Sequence, residues 1–216
     1  MESPSLLLFD LDGTLVDTAP EMHRALNTLL KEQGMNSVEY NEVRPFVSHG
    51  VMGVFSVVFN DEPKINGDRY NRYLSLYEQI LGSDAALFDG MNMVIKQLEE
   101  KNHLWGVVTN KSHRFAKPLL EKLGIIDKAI CLITRDDVEF AKPHPQPILE
   151  ALKRVKPKER QNCYYIGDSS KDIESAKSAG IKSIACSYGY RMKDDHPEKW
   201  GADFCIDKPI EILNVI

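Results

Sequence analysis

Apolar runs only a few residues long recur along this chain, at 6–9, 104–108, 129–133, 163–166, 183–186 and 204–206. They lack the polar alternation of a half-exposed strand and read as strands covered on both faces. Helical repeats separate most of them. Val94, Ile95 and Leu98 share one face. A helix over 115–123 has Ser112 as N-cap and Gly124 as its stop. Ile148, Leu149, Leu152 and Val155 repeat at helical spacing, as do Ile173, Ala176 and Ala179 before Gly180. Strand and helix in alternation predict an α/β fold on a parallel sheet. A closed barrel needs eight such units and about 250 residues. Five or six units in 216 residues predict an open, doubly wound sheet instead.

The stretch 18–87 breaks that rhythm. Thr18-Ala-Pro-Glu21 has the form of a capping box, and Met22, Ala25, Leu26, Leu29 and Leu30 then form an amphipathic stripe that Gly34 closes. A second helix is expected over 45–58, with 53–59 as a competing strand, and a third over 68–81. The expected organisation is a core of 1–17 plus 88–216 carrying a helical insertion at 18–87.

A net charge of −5 disfavours a nucleic-acid partner, which wants a basic face. Cys131, Cys163, Cys186 and Cys205 lie in apolar runs without CxxC spacing, so they read as small buried hydrophobes of a reducing, cytoplasmic compartment rather than zinc ligands. No signal peptide is visible and no apolar stretch approaches 18 residues, so no membrane partner is expected. A monomer and a homodimer are both open.

In open α/β sheets ligands sit beyond the carboxyl ends of the strands. The residues at those positions are Asp10-Leu11-Asp12-Gly13-Thr14, Thr109-Asn110 and Gly167-Asp168-Ser169-Ser170-Lys171-Asp172. Carboxylates converging without Cys or His suit a hard cation such as Mg²⁺, shared with a substrate phosphate. An EF-hand calcium loop is excluded by spacing, since it needs Gly at position 6 and a preceding helix, and here Gly13 is the fourth residue after a strand.

Phe9-Asp-Leu-Asp-Gly-Thr-Leu-Val-Asp17, Val107-Val-Thr-Asn110, Lys142-Pro143 and Gly167-Asp-Ser-Ser-Lys-Asp172 resemble the four ordered motifs of the haloacid dehalogenase superfamily. The insertion resembles the helical cap of its phosphoglycolate-phosphatase-like branch. Leu104-Trp-Gly-Val-Val-Thr-Asn-Lys111, Arg114-Phe-Ala116 and Tyr188-Gly-Tyr190 are also similar to N-acetylmuramic acid 6-phosphate phosphatases.

The resemblance implies a Mg²⁺-dependent phosphatase acting on a small phosphomonoester, of phosphoglycolate type or, as the alternative, N-acetylmuramic acid 6-phosphate or another sugar phosphate. It implies Asp10 as nucleophile, forming an aspartyl-phosphate, and Asp12 as the general acid and base. The halide-releasing members lack that second acid, so Asp12 argues for phosphate esters. Thr109 would hydrogen-bond the phosphoryl group and Lys142 would offset its charge, with Lys111 as the rival lysine. Asp10, the backbone carbonyl of Asp12, and Asp168 would hold the metal, with Asp172 supporting them. In the cap, Arg44 would bind a substrate carboxylate through its fork of donors and His49 would hydrogen-bond the substrate, with Asn110 a further contact. His23, Arg191 and His196 read as surface residues. A sugar-phosphate mutase and a non-catalytic binding protein are the competing readings of the scaffold, and the intact motifs argue against the second.

Overall fold

A computed structural model describes residues 4–59, 65 and 67–216. Chain order opens with β1 (Leu6–Phe9), β2 (Val16–Asp17), α1 (Ala19–Glu32), α2 (Tyr40–Val43), α3 (Gly50–Ser56), α4 (Asp68–Ile80) and β3 (Ala86–Leu87). It continues through α5 (Met91–Glu100), β4 (Leu104–Val108), α6 (His113–Lys122), β5 (Leu132–Ile133) and α7 (Gln146–Val155). β6 (Cys163–Gly167), α8 (Ser170–Ala179), β7 (Lys182–Cys186) and β8 (Phe204–Ile206) complete it.

Six strands form one parallel sheet in the order β5-β4-β1-β6-β7-β8, flanked by helices, which is the expected open α/β architecture. The continuous apolarity of β1 now has its cause. Leu7 and Phe9 enter one core with Trp105, Val107, Tyr164 and Ile166, while Leu6 and Leu8 enter a second with Val108, Ile133, Ile148 and Tyr165. β1 is central, between β4 and β6, so the chain changes winding direction there and leaves a crevice beyond its carboxyl end.

The insertion is tied at its root. β2 and β3 pair antiparallel, Val16 with Leu87 and Asp17 with Ala86. Between them, α1 and α4 bury Met22, Leu26, Leu29, Tyr73, Leu76 and Tyr77 in the same core as Phe9 and Val107. Among the described residues no helix is long and apolar enough to cross a membrane.

Several expectations are corrected. The region 45–58 is not one helix: residues Arg44–His49 form a 3-10 turn and Gly50, at φ 65°, breaks the chain before α3. The competing strand at 53–59 is helical in its first part, because Gly53 packs where a Cβ would stand 2.3 Å from the Phe46 carbonyl oxygen. The strand expected over 129–133 shortens to β5, since a 3-10 turn at Ile126–Lys128 delivers the chain late to the sheet edge. Cys205 is exposed because β8 is the edge strand, and Cys131 is only half-buried. His23 is also half-buried: its Nε2 lies 2.8 Å from the Val38 carbonyl oxygen and its ring meets Tyr40 edge-on.

The capping box at Thr18 does not form. The Thr18 side chain makes no cap bond; instead the Tyr190 hydroxyl accepts from the backbone N–H groups of Thr18 (2.6 Å) and Ala19 (2.9 Å) and donates to Asp17 Oδ1 (2.7 Å). Glu21, fully buried, turns the other way and accepts from the Asp84 and Ala85 N–H groups, fixing the chain as it returns to β3. The Gly34 stop is as expected, with Met35 N–H donating to Leu30 and Gly34 N–H to Lys31 in a Schellman arrangement.

Glu21→Ala orphans two buried N–H groups and is expected to cost about 3 kcal/mol. At about 2–4 °C per kcal/mol for a chain of this size, thermal unfolding should show a clear fall in Tm. Glu21→Gln, which keeps one acceptor oxygen, should lose less, and an unchanged Tm for the alanine variant would remove Glu21 from the account.

Candidate active site

Three strand ends and one loop converge beside β1. Asp10 follows β1, Thr109 follows β4, Asp168 follows β6, and Lys142 arrives from the loop before α7. Lys142 is almost wholly enclosed, and its ammonium reaches Asp10 Oδ1 at 2.8 Å, Asp172 Oδ1 at 2.7 Å and the Tyr165 hydroxyl at 2.7 Å. Tyr165 in turn donates to the Val108 carbonyl oxygen at 2.7 Å. Burial alone would lower the Lys142 pKa; Asp10 and Asp172 outweigh it and hold the lysine charged.

Asp172 is spent on structure. Its Oδ2 accepts from the Ser169 N–H at 3.1 Å and hydroxyl at 2.7 Å, closing a capping box at the start of α8, while Oδ1 takes Lys142. Asp168 is cradled by two glycines. A Cβ on Gly13 would stand 2.1 Å from Asp168 Oδ2, and one on Gly189 would stand 2.3 Å from Asp168 Cβ. Asp168 Oδ2 accepts from the Tyr190 N–H at 2.8 Å and from the Ser48 hydroxyl at 2.7 Å, so the insertion touches this carboxylate directly.

Carboxylate oxygens of Asp10, Asp168 and Asp172 lie within 4.8 Å of one another. Burial, opposed by Lys142 and reinforced by Asp172, raises the Asp10 pKa to about 6. Burial and then Asp10 raise Asp168 well above its ordinary value. Apart from the Lys142 ion pair, Asp10 Oδ1 is buried without a hydrogen-bond partner. Buried acids short of positive charge, with oxygen donors only, fit a hard divalent cation.

Asp12 points elsewhere. Its Oδ1 accepts from the Thr18 hydroxyl at 2.5 Å, and the Lys111 ammonium meets Oδ1 at 3.0 Å and Oδ2 at 3.1 Å. Burial alone would lower the Lys111 pKa; Asp12 and Tyr77 together outweigh it and leave it above its ordinary value. Thr109, buried, accepts the Lys111 N–H at 3.1 Å on Oγ1. Asn110 exchanges two 3.0 Å bonds with the Lys142 backbone, so its amide holds the lysine loop in place.

Asp10, Asp12, Thr109, Asn110, Lys142, Asp172 and His49 all line one cavity of about 330 Å³ between the sheet edge and the insertion. Arg44 does not. Its guanidinium donates to the Tyr188 carbonyl oxygen at 3.4 Å and lies over the Tyr190 ring, in a separate polar depression with Arg191 and Lys193. Burial and then the Lys171 charge lower the His49 pKa. Ser48, Thr18 and Tyr190 are not singled out by the sequence as site residues, and Lys111, the rival lysine for the phosphoryl charge, is found on Asp12 instead. Ser48 lies beside His49, and Tyr190 lies in the noted Tyr188-Gly-Tyr190 segment, but only the fold shows what they touch.

In metal-free protein the raised Asp10 pKa means the folded state binds this proton more tightly than the unfolded chain, so stability falls as pH rises from about 4 to about 6. Asp10→Asn should therefore unfold at higher temperature than wild type at pH 7 with chelator present. The gap should close towards pH 4. Thermal melts across pH measure it, and a gap independent of pH would contradict the origin given for the shift.

Residues 7–186 match the family of haloacid dehalogenase-like hydrolases. An N-acetylmuramic acid 6-phosphate phosphatase of Pseudomonas putida is 37% identical over 212 residues, 97% of this chain and 95% of its own. A phosphoglycolate phosphatase of Xanthomonas campestris pv. campestris is 38% identical over 213 residues, 98% of this chain and 96% of its own. In shape, the chain is similar to a crystal structure from Haemophilus somnus described as a predicted phosphoglycolate phosphatase, with a TM-score of 0.84 over 100% of this chain and 99% of that one, at 23% identity. With the sheet order, the strand-end acids and a match over most of its length, the chain belongs to the haloacid dehalogenase-like hydrolase family.

Proposed function

We propose that the protein is a Mg²⁺-dependent phosphatase that hydrolyses a small phosphomonoester through an aspartyl-phosphate on Asp10. The observation that carries this is the division of labour between two acids two residues apart. Asp10 faces the buried Lys142 and the acidic cluster, whereas Asp12 faces Thr18 and the open cavity.

In the first step an Asp10 oxygen attacks phosphorus, the bond from phosphorus to the ester oxygen breaks, and Asp12 delivers a proton to that oxygen. In the second, water attacks phosphorus, its proton passes to Asp12, and the Asp10 carboxylate leaves. Thr109 supplies a hydroxyl to the phosphoryl oxygens, and Lys142 offsets their charge while fixing the Asp10 carboxylate. Asp10, Asp168 and the Asp12 backbone carbonyl would hold Mg²⁺, which supplies charge neutralisation and in-line orientation of the phosphate when bound. The insertion serves as the cap that excludes water. All four cysteines are free, as a cytoplasmic location would keep them.

A sugar phosphate such as N-acetylmuramic acid 6-phosphate is the second reading of the substrate, and the cavity favours it. Val47, Val51, Tyr70, Leu74, Tyr77 and Phe115 give an apolar wall within about 330 Å³, a volume at the lower end of pockets for drug-sized ligands and more than glycolate fills.

Phosphate release with Mg²⁺ from 2-phosphoglycolate, N-acetylmuramic acid 6-phosphate and p-nitrophenyl phosphate tests the reading, with kcat/KM ranking the substrates. Chelation should abolish turnover. Asp12→Asn should lower turnover of alkyl phosphates by about 10²–10⁴, and less for p-nitrophenyl phosphate, whose leaving group scarcely needs a proton. Full activity in Asp10→Asn would end the mechanism.

A further inference from the structure

The cavity holds a second built feature, on the far side of Asp12 from the acidic cluster. We propose that Lys111 and Tyr77 form a subsite for a carboxylate on the leaving group, close to the ester oxygen, and so determine which phosphomonoesters are taken. The inference rests on the phosphatase reading above.

Four cationic side chains line the cavity: Lys111, Arg135, Lys142 and Lys171. The Lys142 ammonium is committed to Asp10, Asp172 and Tyr165 on the nucleophile's side. Arg135 and Lys171 are exposed, and Arg135 donates to the Val138 carbonyl oxygen. Lys111 alone among these four combines burial with a position beside Asp12. Its side chain is 8% exposed, and its ammonium lies 3.0 Å from Asp12 Oδ1 and 4.9 Å from the centre of the Tyr77 ring. Asp12 must reach the ester oxygen, so a cation beside it stands where the leaving group will lie. Arg44, the cation that the sequence favoured for this task, lies outside the cavity.

Tyr77 provides the independent observation. It projects from α4 of the insertion, is 3% exposed and lines the same cavity, and its buried hydroxyl has the Lys111 ammonium beside it but no acceptor for its own proton. A buried hydroxyl left unpaired costs free energy that a bound acceptor returns. An ammonium beside a hydroxyl whose proton lacks an acceptor, walled by Phe115 and Leu74, fits the two oxygens of a carboxylate. Exclusion of water makes such a contact stronger than on the surface.

The subsite also selects for turnover. Lys111 holds both oxygens of Asp12 in the structure. A substrate carboxylate offers the ammonium another partner and loosens that pair just where Asp12 must turn to the ester oxygen. A neutral leaving group without an acceptor there offers no such exchange and leaves the Tyr77 proton unpaired.

The experiment compares matched esters with Mg²⁺, each with its carboxyl one carbon from the ester oxygen: 2-phosphoglycolate against 2-phosphoglycolamide, and 2-phospholactate against 2-phospholactamide. Wild type is expected to favour the acid at least tenfold in kcat/KM in at least one pair. Lys111→Met should bring that ratio close to one, chiefly through a higher KM for the acid, and Lys111→Arg should retain most of it. Tyr77→Phe, which removes only the hydroxyl, should lower the ratio several-fold in a protein that still folds. The proposal is overturned if wild type releases phosphate from these esters without preferring the acids, or if the preference survives both Lys111→Met and Tyr77→Phe. Absence of release from all four esters and from p-nitrophenyl phosphate would instead overturn the phosphatase reading, and this inference with it.

Discussion

One buried ammonium organises the sheet edge beyond β1. Lys142 stands between Asp10 and Asp172 and against Tyr165, which binds the carbonyl at the end of β4. A charge so enclosed is tolerable only with an acidic partner and well-aimed hydrogen bonds, and removing all of them would leave it uncompensated. The ends of β1 and β4, the start of α8 and the loop before α7 are therefore fixed by the same group. Asn110 repeats the constraint on the backbone, joining the end of β4 to the lysine loop. The acids around it, Asp10 and Asp168, are held in a state that favours a cation. Acids held this way favour a hard cation before any other ligand arrives.

A second constraint runs through Tyr190. Its hydroxyl caps α1, a task for which Thr18 has the right chemistry, and this leaves the Thr18 hydroxyl to donate to Asp12. Its backbone N–H binds Asp168. One residue thus links the start of the insertion to an acid of the cluster, and through Thr18 to Asp12. Ser48 makes the reverse connection, from the insertion to Asp168.

How much of this was legible in the sequence follows from the range of each interaction. The sheet was readable because β1, β4, β6 and β7 are buried on both faces and show it as unbroken apolar runs. The edge was less readable: β5 is short, and Cys205 in β8 is exposed, because edge position is a property of the assembled sheet. The acids at the strand ends were found because position after a strand is local information. Arg44 was given a role that its place in the fold does not support, since which side of the insertion meets the cavity depends on packing between α1, α3 and α4. The Thr18 capping box failed for the same reason. A residue 172 positions away supplied a better acceptor, and no local pattern records that.

The short ribbon of β2 and β3 brings the two ends of the insertion side by side, Asp17 opposite Ala86. Loop closure there is settled by that pairing, so the length of chain between costs the closure little, each doubling of a loop adding only about 0.6 kcal/mol. The chain is in effect built as a socket and a plug. The strand-end acids reside in the socket, in residues fixed by the parallel sheet. Most of the apolar wall of the cavity resides in the plug, which Ser48 and Thr18 key to the socket through Asp168 and Asp12.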